Sequence, residues 1–494
     1  MRRATILLLS ASVAACSTGP DYAGPPEVGS TAIARGTFVR AGDPALNTGA
    51  AVARWWETLG DPVLTGLVDD ALSQSPDISI AQARIREARA KLQQGRAQLL
   101  PTLAGTGMFV HARLPGTGLG SLTGGTGGEG QDGGAQQDEP SDGSSLNFYN
   151  IGANVSWEPD LFGGRRREVE AAQANLDQRF AELADAQVSL SAQVAQSYVN
   201  LRDVEERARL NARSSELQRR SLELMRQRLA AGTASRLQVQ RLETELASTD
   251  AQNIPLDAQI ALYRDALAVL TGRTPGELDA QLAGVAPVPL PPAAVPIGDP
   301  ATLLSRRPDV RTGERALAAG TAQIGAAKAR ALPGIKFSGI LGLGGTEPGD
   351  VLDPGNLAAL LMPQLSFPVI DFGRSRGAVQ EAEAQRDAAE GQYRKAVLSA
   401  LQDAEDSLAR FGATRQQLAQ LIQAERSAAG AARLNRQRFE AGTSTLIDQL
   451  DIERQQLSSS IAVAQAKAQL TIDYIAIQKA LGLGWSEPAE PATR

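Results

Sequence analysis

The chain is 494 residues long, 43% hydrophobic but only 4% aromatic, with a formal charge of -6 at pH 7. That length exceeds one small core, and Ala, Gln, Arg, Leu and Glu dominate long stretches, a composition of long helices and coiled coils rather than of several globular domains. An acidic balance with no basic face argues against nucleic acid as a partner, and a single histidine, His111, with a single cysteine, Cys16, provides neither a zinc set nor an intrachain disulfide.

Catalysis is not expected. A Ser-His-Asp or Cys-His pair has only His111 to use, and His111 stands beside a Gly-rich loop. No glycine loop followed by Lys-Ser/Thr is present to cradle phosphate. Carboxylate pairs are plentiful, but they fall on helical surfaces, where they read as solvated faces. No cofactor is implied.

At the N-terminus, Arg2 and Arg3 precede the apolar run Ile6-Leu7-Leu8-Leu9, and small residues lead to Cys16. Residues 1–15 read as an export signal, too short to span a bilayer as a structural helix. The setting of Cys16 resembles a bacterial lipobox, which implies cleavage before Cys16 and acylation there. Ser17, in place of an aspartate, fits sorting to the outer membrane. Residues 16–60 then form a lipidated N-terminal segment.

The next elements come twice. Ser75-Pro76-Asp77 opens a helical run ending at Leu100-Pro101, and Arg307-Pro308-Asp309 opens another ending at Leu332-Pro333. Asp160-Leu161-Phe162-Gly163 precedes one long helix, Ile370-Asp371-Phe372-Gly373 the other. Each helix runs to a glycine turn, Ala231-Gly232-Thr233 or Ala441-Gly442-Thr443, and both intervals from glycine to glycine are 69 residues. The expected division is 61–270 for the first repeat, 271–300 for a linker, 301–481 for the second repeat and 482–494 for a tail.

The stretch 165–231 has no Gly or Pro and, at 1.5 Å per residue, predicts a helix about 100 Å long. Its charges exclude burial in lipid. Leu176, Leu183, Leu190 and Val204 share one heptad position; Phe180, Val194, Leu201 and Ala208 share another, the pattern of a coiled-coil seam needing a partner outside the protomer. The second long helix has its own seam through Val397, Leu401, Ala404, Leu408, Phe411 and Leu418. It carries more glycine (Gly377, Gly391, Gly412, Gly430), which makes it more bendable. Two helices return, Ser235–Leu270, interrupted at Pro255, and Thr445–Leu481, uninterrupted.

Short strands are expected between the helices. Asn147–Trp157 alternates, with Tyr149, Ile151, Ala153, Val155 and Trp157 on one face and Asn150, Gly152, Asn154 and Ser156 on the other. This is the period a membrane-barrel strand needs, with Tyr149 and Trp157 placed for an aromatic girdle. Leu361–Val369 and Ile335–Leu343 alternate similarly, Leu103–Ala112 less so. Leu114–Leu146, rich in Gly, Asp, Gln and Ser, reads as a mobile loop. Four strands per chain cannot close a sheet in lipid, so copies must assemble; three give twelve strands.

Taken together, the sequence resembles the TolC-like outer-membrane factors, in their lipoprotein, NodT-like branch associated with RND-type efflux. The likeness covers nearly the whole mature chain. It rests on Gly19-Pro20-Asp21-Tyr22, Trp55-Trp56 with Asp61-Pro62-Val63-Leu64, Arg307-Pro308-Asp309, Asp371-Phe372-Gly373, the turns at Gly232 and Gly442, and Ala480-Leu481-Gly482-Leu483-Gly484-Trp485. The resemblance implies a mainly α fold with a small membrane β part: a homotrimer with a twelve-stranded barrel continuous with a periplasmic α-helical barrel. It implies a passive, gated exit duct for small molecules, fed by a periplasmic adaptor and an inner-membrane RND-type transporter. Ala231, Gly232, Thr233, Ala441, Gly442 and Thr443 are then the adaptor contacts, with Thr233 and Thr443 placed to cap the returning helices or bond the adaptor. Relatives close the periplasmic end with aspartates before the second turn. Here no aspartate occurs between Asp406 and Asp448, and Leu418, Gln423 and Glu425 occupy that zone as the gate. The alternatives are a type I protein-secretion duct and a structural periplasmic coiled-coil lipoprotein without a pore.

Overall fold

The computed structural model describes residues 18–113 and 145–485. The export signal, Cys16, nearly all of the loop 114–146 and residues 486–494 of the tail lie outside the described residues. One block of elements occurs twice in chain order. The first copy is α1 (Pro62–Gln74), α2 (Pro76–Ala97), β1 (Thr102–Arg113), β2 (Ser145–Trp157), α3 (Gly164–Ala230) and α4 (Arg236–Leu270). The second is α5 (Pro300–Arg306), α6 (Pro308–Arg330), β3 (Gly334–Gly345), β4 (Leu357–Ser366), α7 (Arg374–Glu440) and α8 (Leu446–Ala480). Both long helices have 67 residues and both returning helices 35.

Matched start signals explain the matched lengths. Asp61 accepts the Val63 and Leu64 N–H groups at the head of α1, with Pro62 in the first turn; Asp299 accepts from Thr302 at the head of α5, before Pro300. Asp160 accepts from the Arg165 and Arg166 N–H groups at 3.0 and 2.9 Å, and Asp371 from Gly373 and Ser375 at 3.0 and 2.9 Å. A carboxylate there satisfies the orphan donors and meets the positive end of the helix dipole. The expected break at Pro255 does not occur: α4 continues through it. The proline forfeits one backbone bond, but the packed stripe Leu242, Thr249 and Leu256 holds the helix on both sides.

The chain divides into two compact units that interleave along the sequence. The first takes residues up to 23, 90–173 and 319–386 and holds the antiparallel sheet in the order β1-β2-β3-β4. Three strands fall where the alternation put them. The fourth does not: β4 is Leu357–Ser366, not Leu361–Val369. Pro368 lacks a ladder donor, and Ala358, Leu360 and Met362 spoil the alternation at the true start.

The second unit takes 24–89, 174–318 and 387–494. Its core joins Leu64, Leu67, Leu201, Leu267, Leu278 and Phe411, all essentially buried. The short helical turn Trp55–Leu59 presents Trp55 edge-on to Trp56 and to Tyr474, at centroid separations of 5.7 and 6.1 Å, and Thr58 meets the Tyr474 hydroxyl at 2.7 Å. Tyr198 donates to Asp61 Oδ2 at 2.7 Å, and burial pushes its ionisation up. In the linker, Val295-Pro296 pair in parallel with Leu46-Asn47. Arg307, nearly buried, donates to Asp309, Asp403 and the Ala480 carbonyl, tying the start of α6 and the end of α8 to the middle of α7.

This unit also corrects the seam. Leu190, Val194, Leu201 and Val204 are buried inside the single chain, so these leucine and valine positions do not await a neighbour. The small residues Ala174, Ala181, Val188 and Ala195, spaced by seven, are buried beside them and let neighbouring helices approach closely. Leu183 and Ala208 are half-buried and Phe180 is exposed. The second seam, Val397, Ala404, Leu408, Phe411 and Leu418, likewise belongs to the protomer's own core.

Candidate channel and docking surfaces

Residues directly opposite in an antiparallel pair share a face, so the strand register sorts the sheet. One face carries Leu103 and Phe109 of β1, Tyr149, Ile151, Val155 and Trp157 of β2, Ile335, Phe337, Leu341 and Leu343 of β3, and Leu357, Leu361 and Leu365 of β4. From Leu103 and Trp157 to Phe109 and Tyr149 it is apolar and largely exposed; beyond Phe109 it turns polar, with His111 opposite Asn147. Phe109 lies against Tyr149 near one end, with centroids 4.8 Å apart, and Trp157 stacks on Phe337 at the other, 6.0 Å apart. Trp157 lies eight positions after Tyr149, about 26 Å along the strand, the order of an outer-membrane apolar band. Trp157 Nε1 donates to the Leu99 carbonyl at 3.2 Å, fixing that ring.

The other face is divided. Near the helices it is polar: Ser156, Asn154, Lys336, Ser338, Gln364 and Ser366. Beyond these it carries Met108, Val110, Phe148, Ile340, Leu360 and Met362. A Cβ on Gly152 would lie 2.4 Å from the Leu341 carbonyl oxygen, and one on Gly344 2.5 Å from that of Tyr149. The Asn150 side chain lies over Gly342 and Gly344. At these positions the neighbouring strand or side chain approaches too closely for a Cβ. His111, the sole histidine, is on β1 with Nδ1 2.7 Å from Asn147 Oδ1. Among the described residues, Phe372 alone of the non-glycines has a positive φ, 49°, and it is 98% exposed.

The two glycine turns have identical construction. Gly232 and Gly442 have φ of 75° and 77°, and nothing lies within 4 Å of an added Cβ at either, so backbone conformation alone requires glycine. The Thr233 and Thr443 N–H groups donate to the Arg228 and Arg438 carbonyls at 2.8 Å, and Gly232 and Gly442 donate to Leu229 and Phe439 at 3.0 Å, the double bond of a Schellman ending. The returning helices are capped by Ser235 with Gln238 and by Thr445 with Asp448. The expected cap role of Thr233 and Thr443 is therefore overturned: their hydroxyls bond backward to Arg228 and Arg438, at 3.0 and 3.1 Å. Ala231, Gly232, Thr233, Ala441, Gly442 and Thr443 are all exposed. Leu222, Met225, Val239, Leu242 and Leu446 form a small core that joins the two turns' ends of the hairpins.

Within one chain the three gate residues lie apart along α7. Leu418 is buried in the core, Gln423 is exposed, and Glu425 accepts from Ser460 Oγ of α8 at 3.2 Å. Cys16 lies outside the described residues, but the chain just after it is clamped in the first unit. Thr18 donates from N and Oγ1 to the Phe162 carbonyl, at 3.1 and 2.9 Å, and Arg167 pairs with Asp21 and Glu170. Gly19, with φ of 89°, lies on Gly325: a Cβ would stand 2.4 Å from the Gly325 Cα. Sequence reasoning missed this clamp; glycine inside the otherwise helical run 308–330 was its signal.

The outer membrane efflux protein family pattern matches residues 67–273 and 300–483. Nodulation protein T of Rhizobium leguminosarum bv. trifolii is 29% identical over 491 residues, 99% of this chain and 98% of that protein. The pyoverdine export outer membrane protein OpmQ of Pseudomonas aeruginosa is 29% identical over 503 residues, covering 100% of this chain and 99% of its own. The solved outer-membrane channel OprN superimposes with a TM-score of 0.82 at 31% identity, over 94% of this chain and 99% of that one. With the same elements in the same order, a sheet bearing one apolar face, and a pattern matched across most of its length, the chain belongs to the outer membrane efflux protein family.

Proposed function

We propose that this protein is the outer-membrane exit duct of a tripartite efflux pump. The observation that carries the reading is the four-stranded sheet with an apolar band across one face and two edge strands, β1 and β4, each paired on one side only. A sheet in lipid must close, and three copies supply twelve strands. The long hairpins line the periplasmic part of the duct. The exposed turns Ala231-Gly232-Thr233 and Ala441-Gly442-Thr443 receive a periplasmic adaptor, which links the duct to an inner-membrane RND-type transporter. Energy comes from that transporter; the duct itself is passive and performs no catalysis. Cys16 carries the lipid anchor. Gln423 and Glu425 close the periplasmic end, with Leu418 as the packed layer behind them. Small-molecule cargo is supported by the likeness to OpmQ, named for pyoverdine export.

The test is single-channel recording. Purified trimers added to a planar bilayer are expected to give discrete, long-lived conductance steps that chain monomers do not give. Absence of steps from correctly assembled trimers refutes the duct and favours a coiled-coil lipoprotein without a pore.

A further inference from the structure

Four side-chain oxygens in the first hairpin have no partner. Asn211 Oδ1, Ser215 Oγ and Gln218 Oε1 on α3 and Asn253 Oδ1 on α4 are closed off from solvent and meet no hydrogen-bonding atom. Asn211, Ser215 and Gln218 are 4%, 3% and 7% exposed and follow one another along a single face of α3. The ion pairs Glu205–Arg264, Arg219–Asp250 and Arg226–Glu243 hold α3 and α4 in one antiparallel register, which sets Asn253 level with the turn from Ser215 to Gln218. A buried acceptor left unpaired is costly, and native proteins answer it with ordered water or an ion. These oxygens are sealed within one chain, so a neighbouring copy does not reach them. They belong to neutral side chains, which suits water rather than a cation, and a buried water takes two to four polar neighbours.

Apolar layers bound this stretch. Leu222, Met225, Val239 and Leu242 close it toward the turn, and Leu201 and Leu267 close it on the other side. The second hairpin is built differently at the same level. The positions 210 residues further on are Leu421, Glu425, Ala428 and Val463. Leu421 and Val463 pack into the core, and Glu425 is bonded to Ser460. The first hairpin also carries Pro255 here, inside α4, where the second has Gln465. Without an N–H, Pro255 leaves the Ala251 carbonyl with no helical donor.

We propose that ordered water fills the middle of the first hairpin and that this wet, proline-bearing stretch is the joint at which that hairpin flexes. Water exchanges partners when the helices shift by part of a turn, whereas an interlocked leucine layer has to unpack first. At this level the second hairpin packs Leu421 and Val463 instead, and the glycines that make α7 bendable elsewhere, Gly412 and Gly430, lie outside the stretch, so here it is the stiffer of the two.

Hydrogen exchange on the purified full-length protein tests this. Amides in 209–218 and 249–258 are expected to exchange at least about tenfold faster than those in 419–428 and 459–468, because local opening is easier where few apolar contacts resist it. Equal or slower exchange overturns the proposal. A variant with Asn211→Leu, Gln218→Ala, Asn253→Val and Pro255→Gln, which transplants the second hairpin's residues, is expected to exchange at the second hairpin's rate; an unchanged rate overturns the proposal. If that variant does not fold, the native protein still decides. A high-resolution map is expected to show solvent peaks within about 3.5 Å of at least three of the four oxygens. Direct side-chain bonds in their place overturn the proposal.

Discussion

Replacing both turn threonines separates two roles for the same residues. Thr233 and Thr443 are exposed, and each hydroxyl donates to a carbonyl five residues back, at 3.0 and 3.1 Å. Such a solvent-facing bond contributes about 0.5–1 kcal/mol net, so Thr233→Val with Thr443→Val costs each chain about 1–2 kcal/mol. The loss is confined to the turns, because the backbone bonds of the Schellman endings at 2.8 and 3.0 Å remain. Valine keeps the shape of threonine, so an adaptor meets nearly the same surface. Thr233→Trp with Thr443→Trp loses the same hydroxyl bonds and adds a bulky ring where partner backbones have to approach. The assay is efflux in a host lacking its own duct but supplied with the cognate adaptor and transporter, together with trimer melting and adaptor cross-linking. Both variants are expected to melt slightly and equally lower; only the tryptophan variant is expected to lose export and cross-linking. Normal export by the tryptophan variant refutes docking at these turns. Equal loss of export in the valine variant shows that the hydroxyl bonds, not the docking surface, are what matters.

Three further outcomes are expected. Leu190 is 3% exposed inside its own chain, so Leu190→Asp buries an unpaired charge at a cost of several kcal/mol and removes folded chain altogether; Phe180→Asp, on the exposed side, leaves a folded monomer and weakens only the trimer. Recovery of folded Leu190→Asp monomer on native gels contradicts the assignment. Gly19→Ala forces a side chain into left-handed backbone against Gly325, on the order of 2–3 kcal/mol; limited proteolysis is expected to cut near Tyr22 while trimers persist, and an unchanged digest refutes the clamp. Burial, aided by Asp309 and Glu182 against Arg307 and Lys479, raises the Asp185 carboxyl above its ordinary value. Its protonated form favours the folded state, so this contribution is present in acid and is lost as pH rises through the raised value. Asp185→Asn is expected to flatten the fall of the melting temperature as pH rises above the ordinary carboxylate range; an unaltered pH slope excludes Asp185 as its source.

The duplicated helices were legible because their punctuation is local. Asp160 and Asp371 start the long helices, Gly232 and Gly442 end them, and the 69-residue interval between glycines became two helices of 67 residues. The strand bounds were legible wherever one face is polar. β4 was misplaced because Ala358, Leu360 and Met362 make both of its faces apolar, so no period of two marks its start. The seam was misassigned because a heptad of leucines records that a helix packs, not which chain supplies the partner; Leu190 and Leu201 found theirs in the same protomer. Leu418 was placed with the gate by position along α7; its burial in the core is a matter of packing that position does not encode. The Thr18–Gly19 clamp and the unpaired oxygens of Asn211, Ser215 and Gln218 depend on contacts across long stretches of sequence, which no local pattern encodes.

Every residue of β4 is exposed in the single chain, and β1 and β4 offer their outer ladder groups to whatever strand arrives. An open edge is a template for any extended segment, and lipid does not tolerate it. Closure by copies, as proposed, gives maturation a reaction order. In the proposed trimer, a newly exported chain finishes its sheet only by meeting copies of itself, so the wait grows steeply as chains become scarce and slow assembly competes with mispairing. Expression level becomes a quality-control variable: below some density of chains at the membrane, correctly folded protomers accumulate as an unfinished, protease-exposed pool rather than as fewer working ducts.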